Sequence, residues 1–182
     1  MRVLLTGATG YVGRRLMDRL AAEPGIELRL FVRNAAKVQT PAGKPVEIVE
    51  GSSFDVASLR AACAGMDAAY YLIHSLGAGS GFSDLERRSA ENFRDACAEA
   101  GVGRIIYLGG LGTKDTASEH LMSRIETGEI LSALPEKVKV IWFRAGVVIG
   151  SGSASVEIVR NLVQKLPVMI TPKWVLTRTE PI

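Results

Sequence analysis

Short apolar, β-branched runs alternate along the chain with longer stretches whose apolar positions recur every three or four residues. The runs Val3–Thr6, Glu27–Val32, Val46–Val49, Ala68–Ile73, Arg104–Leu108 and Val138–Arg144 predict strands. Several are almost continuously apolar, as Ile105-Ile106-Tyr107-Leu108 shows, which is the pattern of parallel strands covered on both faces. Between them, Val12, Leu16 and Leu20 draw one apolar stripe along a first helix, with Arg14, Arg15, Asp18 and Arg19 facing away. A second helix follows Asp55 as its N-cap and carries Val56, Leu59 and Cys63 on one face. A third carries Phe82, Leu85, Ser89, Phe93 and Cys97 and stops at Gly101. A fourth is predicted over 117–134, with Leu121, Ile125 and Leu131 inward and Pro135 as its stop. Repeated strand-then-crossover units with short turns predict an α/β fold, a doubly wound parallel sheet of about six to seven strands with helices on both faces. After Gly150 the alternation ends. Ser151-Gly152-Ser153 reads as a turn, 156–166 as a helix and 168–170 as a short strand.

Composition narrows the function classes. The 182 residues are 47% hydrophobic and 23% charged, which is ordinary for a folded domain and unlike a disordered chain. Lys and Arg number 22 against 19 acidic residues, but the only adjacent basic pairs are Arg14-Arg15 and Arg87-Arg88. No basic stripe forms, so nucleic acid is not expected as a partner. The apolar run after Arg2 is too short for a signal peptide, and no run approaches the roughly 18 apolar residues of a membrane span. A cytoplasmic location without membrane attachment is the expectation. Cys63 and Cys97 fall in helical stretches and read as small buried side chains. With only His74 and His120 besides, widely spaced, no metal site is expected. Glycine is the one enrichment, 19 residues or about 10% against an average of about 7%.

The glycines matter for where they sit. Thr6-Gly7-Ala8-Thr9-Gly10-Tyr11-Val12-Gly13 lies directly after the first strand and opens the first helix. A pyrophosphate needs backbone N–H donors at close range, and glycine permits both the tight turn and the approach. The helix N-terminus adds the positive end of its dipole. Gly13, one turn into the helix, lets helix and strand pack closely. A dinucleotide cofactor is therefore expected, on a G-x-x-G-x-x-G spacing. Twenty residues after Gly13, at the end of the second strand, stands Arg33. An acid there would accept from the ribose 2′-hydroxyl of NAD, whereas an arginine suits a 2′-phosphate. NADP(H) is favoured over NAD(H) on that residue.

With these residues in hand the chain resembles the short-chain dehydrogenase/reductase superfamily, in its atypical and extended branches. The loop TGATGYVG carries the likeness, joined by Tyr70-Tyr71-Leu72-Ile73-His74-Ser75, by 105–112 (IIYLGGLG) and by 144–150 (RAGVVIG). These later segments look like an atypical subgroup of bacterial NAD(P)-binding, nucleoside-diphosphate-sugar-epimerase-like proteins. The resemblance implies a Rossmann domain over 1–150 in which Gly7, Thr9, Gly10, Tyr11 and Val12 line the pyrophosphate and Arg33 meets the adenosine ribose. It implies that 51–55 holds the adenine, with Ser52 where relatives have aspartate and Ser53 or Phe54 compensating. Leu72, Ile73 and His74 would flank the nicotinamide-side ribose, His74 as part of the cofactor wall.

Catalysis is where the chain departs from the pattern. Relatives place a serine or threonine after the fifth strand and a Tyr-x-x-x-Lys on the next helix. Here the strand ends in Gly109-Gly110, and the helix offers His120 and Arg124, four residues apart on one face. Arg124 can hydrogen-bond ribose hydroxyls but cannot shuttle a proton. His120 can act as acid or base near neutrality. The resemblance thus implies an oxidoreductase or epimerase-like enzyme lacking the usual catalytic set, acting on an unknown small molecule. The alternative is a non-catalytic module that senses NADP(H), as nitrogen-metabolite repressor-type regulators are built. The segment 151–182 is expected to begin a substrate-side region of a longer protein, possessing Arg160, Lys173, Trp174 and Arg178 as polar or planar contacts and leading toward a further C-terminal domain.

Overall fold

A computed structural model describes residues 1–74, 82–146, 148–150 and 152–165. The chain forms two compact units, Met1–Phe143 and Arg144–Ile182. The first contains β1 (Arg2–Thr6), α1 (Tyr11–Ala22), β2 (Glu27–Val32), β3 (Val46–Glu50), α2 (Val56–Cys63), β4 (Ala68–Tyr71), α3 (Phe82–Glu99), β5 (Arg104–Gly110) and α4 (Glu119–Leu131), and β6 (Lys139–Ala145) runs to its edge. The strands order as β3-β2-β1-β4-β5-β6. Val3 pairs in parallel with Leu28 on one side and Ala68 on the other, and β2–β3 and β4–β5 are parallel too. The sideways progression of the strands therefore reverses between β1 and β4. That switch point opens a crevice beyond the carboxyl ends of the strands.

The two faces have separate cores. On one, Met17, Leu20 and Ala21 of α1 pack on Val3, Leu5, Leu28 and Leu30. On the other, Leu59, Phe93, Cys97 and Leu131 from α2, α3 and α4 cover Leu4, Ala69, Tyr71 and Ile105. Each fully buried large side chain contributes roughly 1.5–3 kcal/mol. The buried seam of α1 runs through Gly13, Met17 and Leu20 rather than Val12 and Leu16, which are half-buried, while Arg14, Arg15, Asp18 and Arg19 are exposed as expected. Asp55 caps α2 by accepting from the Ala57 N–H at 3.1 Å. Gly101 ends α3 with φ +71°. Cys63 and Cys97 are buried free thiols with sulfurs 3.7 Å apart, and burial pushes the Cys97 thiol up.

Several expectations are adjusted. Strand β4 stops at Tyr71, not Ile73, because the Leu72 N–H is taken by the Thr6 hydroxyl at 3.0 Å and leaves the ladder. Leu85 and Val56 face outward, at 38% exposure each, and Glu86 occupies the buried stripe instead of Leu85. Helix α4 begins only at Glu119, where Ser118 accepts from the Leu121 N–H at 3.3 Å, and ends at Leu131. Arg29 interrupts an apolar strand because it donates to the carbonyls of Ala62 and Ala64 at 2.8 and 2.9 Å and pairs with Glu47.

In the second unit, α5 spans Ala154–Lys165, close to the expected helix, and its Arg160 lies 3.6 Å from Glu157. The expected strand at 168–170 and the residues Lys173, Trp174 and Arg178 lie outside the described residues. Among the described residues no helix is long and apolar enough to cross a membrane. No group of three or more His, Cys, Asp or Glu side chains there is placed to hold a metal ion.

Candidate functional site: a cleft at the switch point

The cleft begins with backbone geometry. Gly7 follows β1 at φ +69°, and a Cβ there would stand 2.5 Å from the Leu72 carbonyl oxygen. Gly13 is as constrained, since a Cβ would come within 2.1 Å of the Gly7 carbonyl oxygen. These two residues let the loop turn tightly under the first turn of α1. Thr6 braces the turn from below, donating to the Tyr70 carbonyl at 2.8 Å while accepting from Leu72. Gly10 is the N-cap of α1, where no side chain caps the helix and the first turn holds no acid. The N–H groups of that turn are left to meet an anion.

Around this loop lies a cleft of about 310 Å³, walled by Gly7, Thr9, Gly10, Arg33, Ser53 and His74 among others. Larger by volume is a hollow at the opposite, N-terminal edge of β2 and β3, lined by Arg2 and Glu47, away from the glycine loop. The switch-point cleft is the candidate site, because the uncapped helix end and the close backbone approach meet there. Leu72 and Ile73 line it too, having left the ladder, while Tyr11 and Val12 contribute the first turn of α1 instead of cleft wall. Tyr11 packs its ring beneath the Arg15 guanidinium, 3.8 Å away.

One flank belongs to β2 and β3. Arg33 is exposed, lines the cleft, and has no hydrogen bond or ion pair with the described residues. The turn behind it is fixed by Glu50 accepting from the Ala35 N–H at 2.8 Å and by Asn34 accepting from Ala36. Ser53 is buried, and its carbonyl accepts from the Asn92 amide at 2.9 Å. Ser52 accepts from the Phe54 N–H at 3.3 Å, and Ser52, Ser53 and Phe54 all line the cleft.

The other flank lies beyond β4 and β5. His74 follows β4, with Nδ1 2.5 Å from Oε1 of Glu86, a carboxylate buried on α3. The Ser123 hydroxyl of α4 donates to Oε2 of the same carboxylate. The His120 ring is 6.4 Å from that of His74 and 4.9 Å from Phe82. His120 is exposed and outside the cleft wall. Arg124 turns to β5 and donates to the Leu108 carbonyl at 2.5 Å. Tyr107 donates to the Arg124 carbonyl at 2.9 Å, and burial pushes its phenol up to about 12. A side chain at Gly109 would meet Trp142 Nε1 at 2.3 Å, and one at Gly110 would meet Leu121 at 2.5 Å. Packing thus occupies the space that a side chain at either glycine would need.

The sequence assigns Glu86 and Ser123 no role and marks Thr6 only as the end of the first strand and the start of the glycine loop. Glu86 left one trace, an acid in helical register with Phe82, Ser89 and Phe93.

Residues 7–139 match the profile of a family described as NAD(P)H-binding. Over 123 residues the chain is 32% identical to a (4-alkanoyl-5-oxo-2,5-dihydrofuran-3-yl)methyl phosphate reductase of Streptomyces griseus, covering 67% of this chain and 39% of the reductase. Triphenylmethane reductase of a Citrobacter species, solved with NADP(H), superimposes with TM-score 0.69 at 24% identity, over 81% of this chain and 50% of that one. An NADPH-dependent quinone oxidoreductase of Escherichia coli, complexed with NADPH, gives TM-score 0.65 at 27% identity, over 80% and 49%. The chain spans about half the length of those two structures and less of the Streptomyces enzyme. The chain belongs to the NAD(P)H-binding family and has a Rossmann-type fold.

Proposed function

We propose that this chain is the cofactor-holding part of an NADP(H)-dependent oxidoreductase. The observation that carries the reading is Arg33, a guanidinium at the edge of a glycine-built cleft with no partner among the described residues. The site fits the cofactor: Gly7 and Gly13 bring backbone close, and the uncapped α1 faces the cleft. In this reading the first turn of α1 takes the pyrophosphate and Arg33 takes the 2′-phosphate by charge-assisted hydrogen bonds. Ser53 and Phe54 border the adenine. When bound, the reduced nicotinamide supplies a hydride to a small carbonyl or conjugated substrate. The three relatives described above are reductases or an oxidoreductase, which supports that class of chemistry. His74 and His120 are the titratable groups at the reacting end, and Arg124 is the candidate contact to the nicotinamide ribose. We place the protein in the cytoplasm, where free thiols such as Cys63 and Cys97 stay reduced. Substrate contacts are assigned to the segment from 151 onward.

Calorimetric titration of Arg33→Asp tests the cofactor choice. Losing one charge-assisted contact, about 2 kcal/mol, weakens NADPH binding roughly 30-fold while NADH binding holds or improves. An unchanged NADPH/NADH preference would remove Arg33 from the site. The filled space at Gly109 and Gly110 favours a second reading, a sensor that binds NADP(H) without turnover. Absence of NADPH consumption across a panel of quinones, enones and ketones, with tight binding intact, would select it.

A further inference from the structure

We propose that Glu86 is a positioning residue that fixes His74 so that its Nε2 is the proton-exchanging atom at the reacting end of the cleft. This rests on the cofactor reading above and assigns the proton step to His74 instead of His120.

Three elements converge on one buried carboxylate. Glu86 of α3 is 5% exposed and takes His74 Nδ1 on Oε1 and the Ser123 hydroxyl on Oε2. A buried carboxylate without such partners is costly, so its presence in an apolar stripe among Phe82, Ser89 and Phe93 calls for a reason. With Nδ1 committed to the carboxylate, Nδ1 carries the proton in the neutral ring and Nε2 is left for the cleft. No described residue hydrogen-bonds Nε2. Ser123 holds the second carboxylate oxygen and thereby the rotation of the group.

Position decides between the two histidines. Along the sheet the order β2-β1-β4 places Arg33, the glycine loop and His74 in sequence across the cleft. If Arg33 takes the adenosine phosphate, the reactive ring lies toward β4, where His74 lines the wall. His120 is exposed and sits against Phe82, and among the described residues no carboxylate pairs with it. In the reducing direction a substrate carbonyl carbon gains a hydride from the reduced nicotinamide. The carbonyl π pair moves to oxygen and takes the proton from Nε2 of the imidazolium. The Nε2–H bond breaks, and a neutral ring remains with its proton on Nδ1 against Glu86.

The test is nitrogen NMR on histidine-labelled protein without cofactor, with Glu86→Leu and Glu86→Gln as variants. Only two histidines are present, so His120→Gln assigns the His74 signals. The neutral His74 ring is expected to show a protonated Nδ1 and a bare Nε2. Glu86→Leu is expected to shift it toward the Nε2–H form that a free imidazole favours. A wild-type ring protonated on Nε2 overturns the proposal whatever the variants do, and so does an unchanged pattern in a folded Glu86→Leu protein. Calorimetry separates the two readings. NADPH affinity of Glu86→Gln is expected within threefold of wild type, and a loss of tenfold or more would make Glu86 part of the cofactor site instead. Wild-type protein that fails to bind NADPH sinks the cofactor reading, while the apo spectrum still decides what Glu86 does to His74.

Discussion

The two flanks of the cleft are built from different materials. Toward β1 and β2, the site is mainly backbone: Gly7, Gly10, Gly13 and the open first turn of α1, with the Arg33 side chain beside them. Toward β4 and β5 it is side chain, with His74, Glu86 and Ser123 joined from three separate elements and Arg124 drawn back to a β5 carbonyl. A backbone site needs close approach and open space, so its residues are adjacent in sequence and small. A side-chain site needs convergence, so its residues are scattered. In the proposed reading the glycine flank would serve any chemistry that uses a dinucleotide, and the other flank would set which chemistry follows.

Gly13→Val tests the backbone side most severely. A Cβ already meets the Gly7 carbonyl oxygen at 2.1 Å, so the helix must lift from the loop. Overpacking of this kind costs about 1–3 kcal/mol. Urea melts are expected to show that loss, with NADPH binding gone in whatever remains folded. A stable, binding-competent Gly13→Val would mean the close packing is incidental.

A smaller effect probes the side-chain flank through pH. Burial pushes Tyr107 from 10.0 up to about 12, with Arg124 offsetting part of the rise, and burial pushes Tyr71 upward more strongly. Both phenols have folded values above their unfolded ones. Below about 10 the two states bind the same protons and pH has no leverage through them. Between 10.0 and about 12 the unfolded chain ionises first, so stability falls as pH rises through that window. Tyr107→Phe is expected to flatten the slope of stability against pH there. An identical slope in the variant would show that burial does not raise the Tyr107 phenol.

Sequence legibility follows the same division. The glycine loop and Arg33 could be read because strand, turn and helix follow one another with fixed spacing. The doubly wound topology was legible for the same reason, each crossover being local. Strand β4 was read two residues too long because Leu72 and Ile73 are as apolar as a strand, and only Thr6 shows why they leave it. Glu86 was passed over for Leu85. Helical register alone admits either, and what buries the acid is a histidine and a serine from other elements. Gly109 and Gly110 showed a missing hydroxyl in the sequence, but not the Trp142 and Leu121 side chains that fill its place.

Gly10 gives the most direct test of the claim that the glycine-built flank holds the cofactor. Its φ of −77° is open to any residue, and among the described residues beyond its own helix a Cβ there meets only the Gly7 carbonyl oxygen, at 3.3 Å. Bulk at this position is therefore directed at the cleft more than at the fold. NADPH is titrated calorimetrically into wild type and Gly10→Val, with thermal melts run alongside. Binding by wild type and a loss of at least about 100-fold in the variant, equivalent to about 2.7 kcal/mol, is the predicted result, with melting little changed. Retained affinity in a folded Gly10→Val protein would contradict the account and place the cofactor elsewhere.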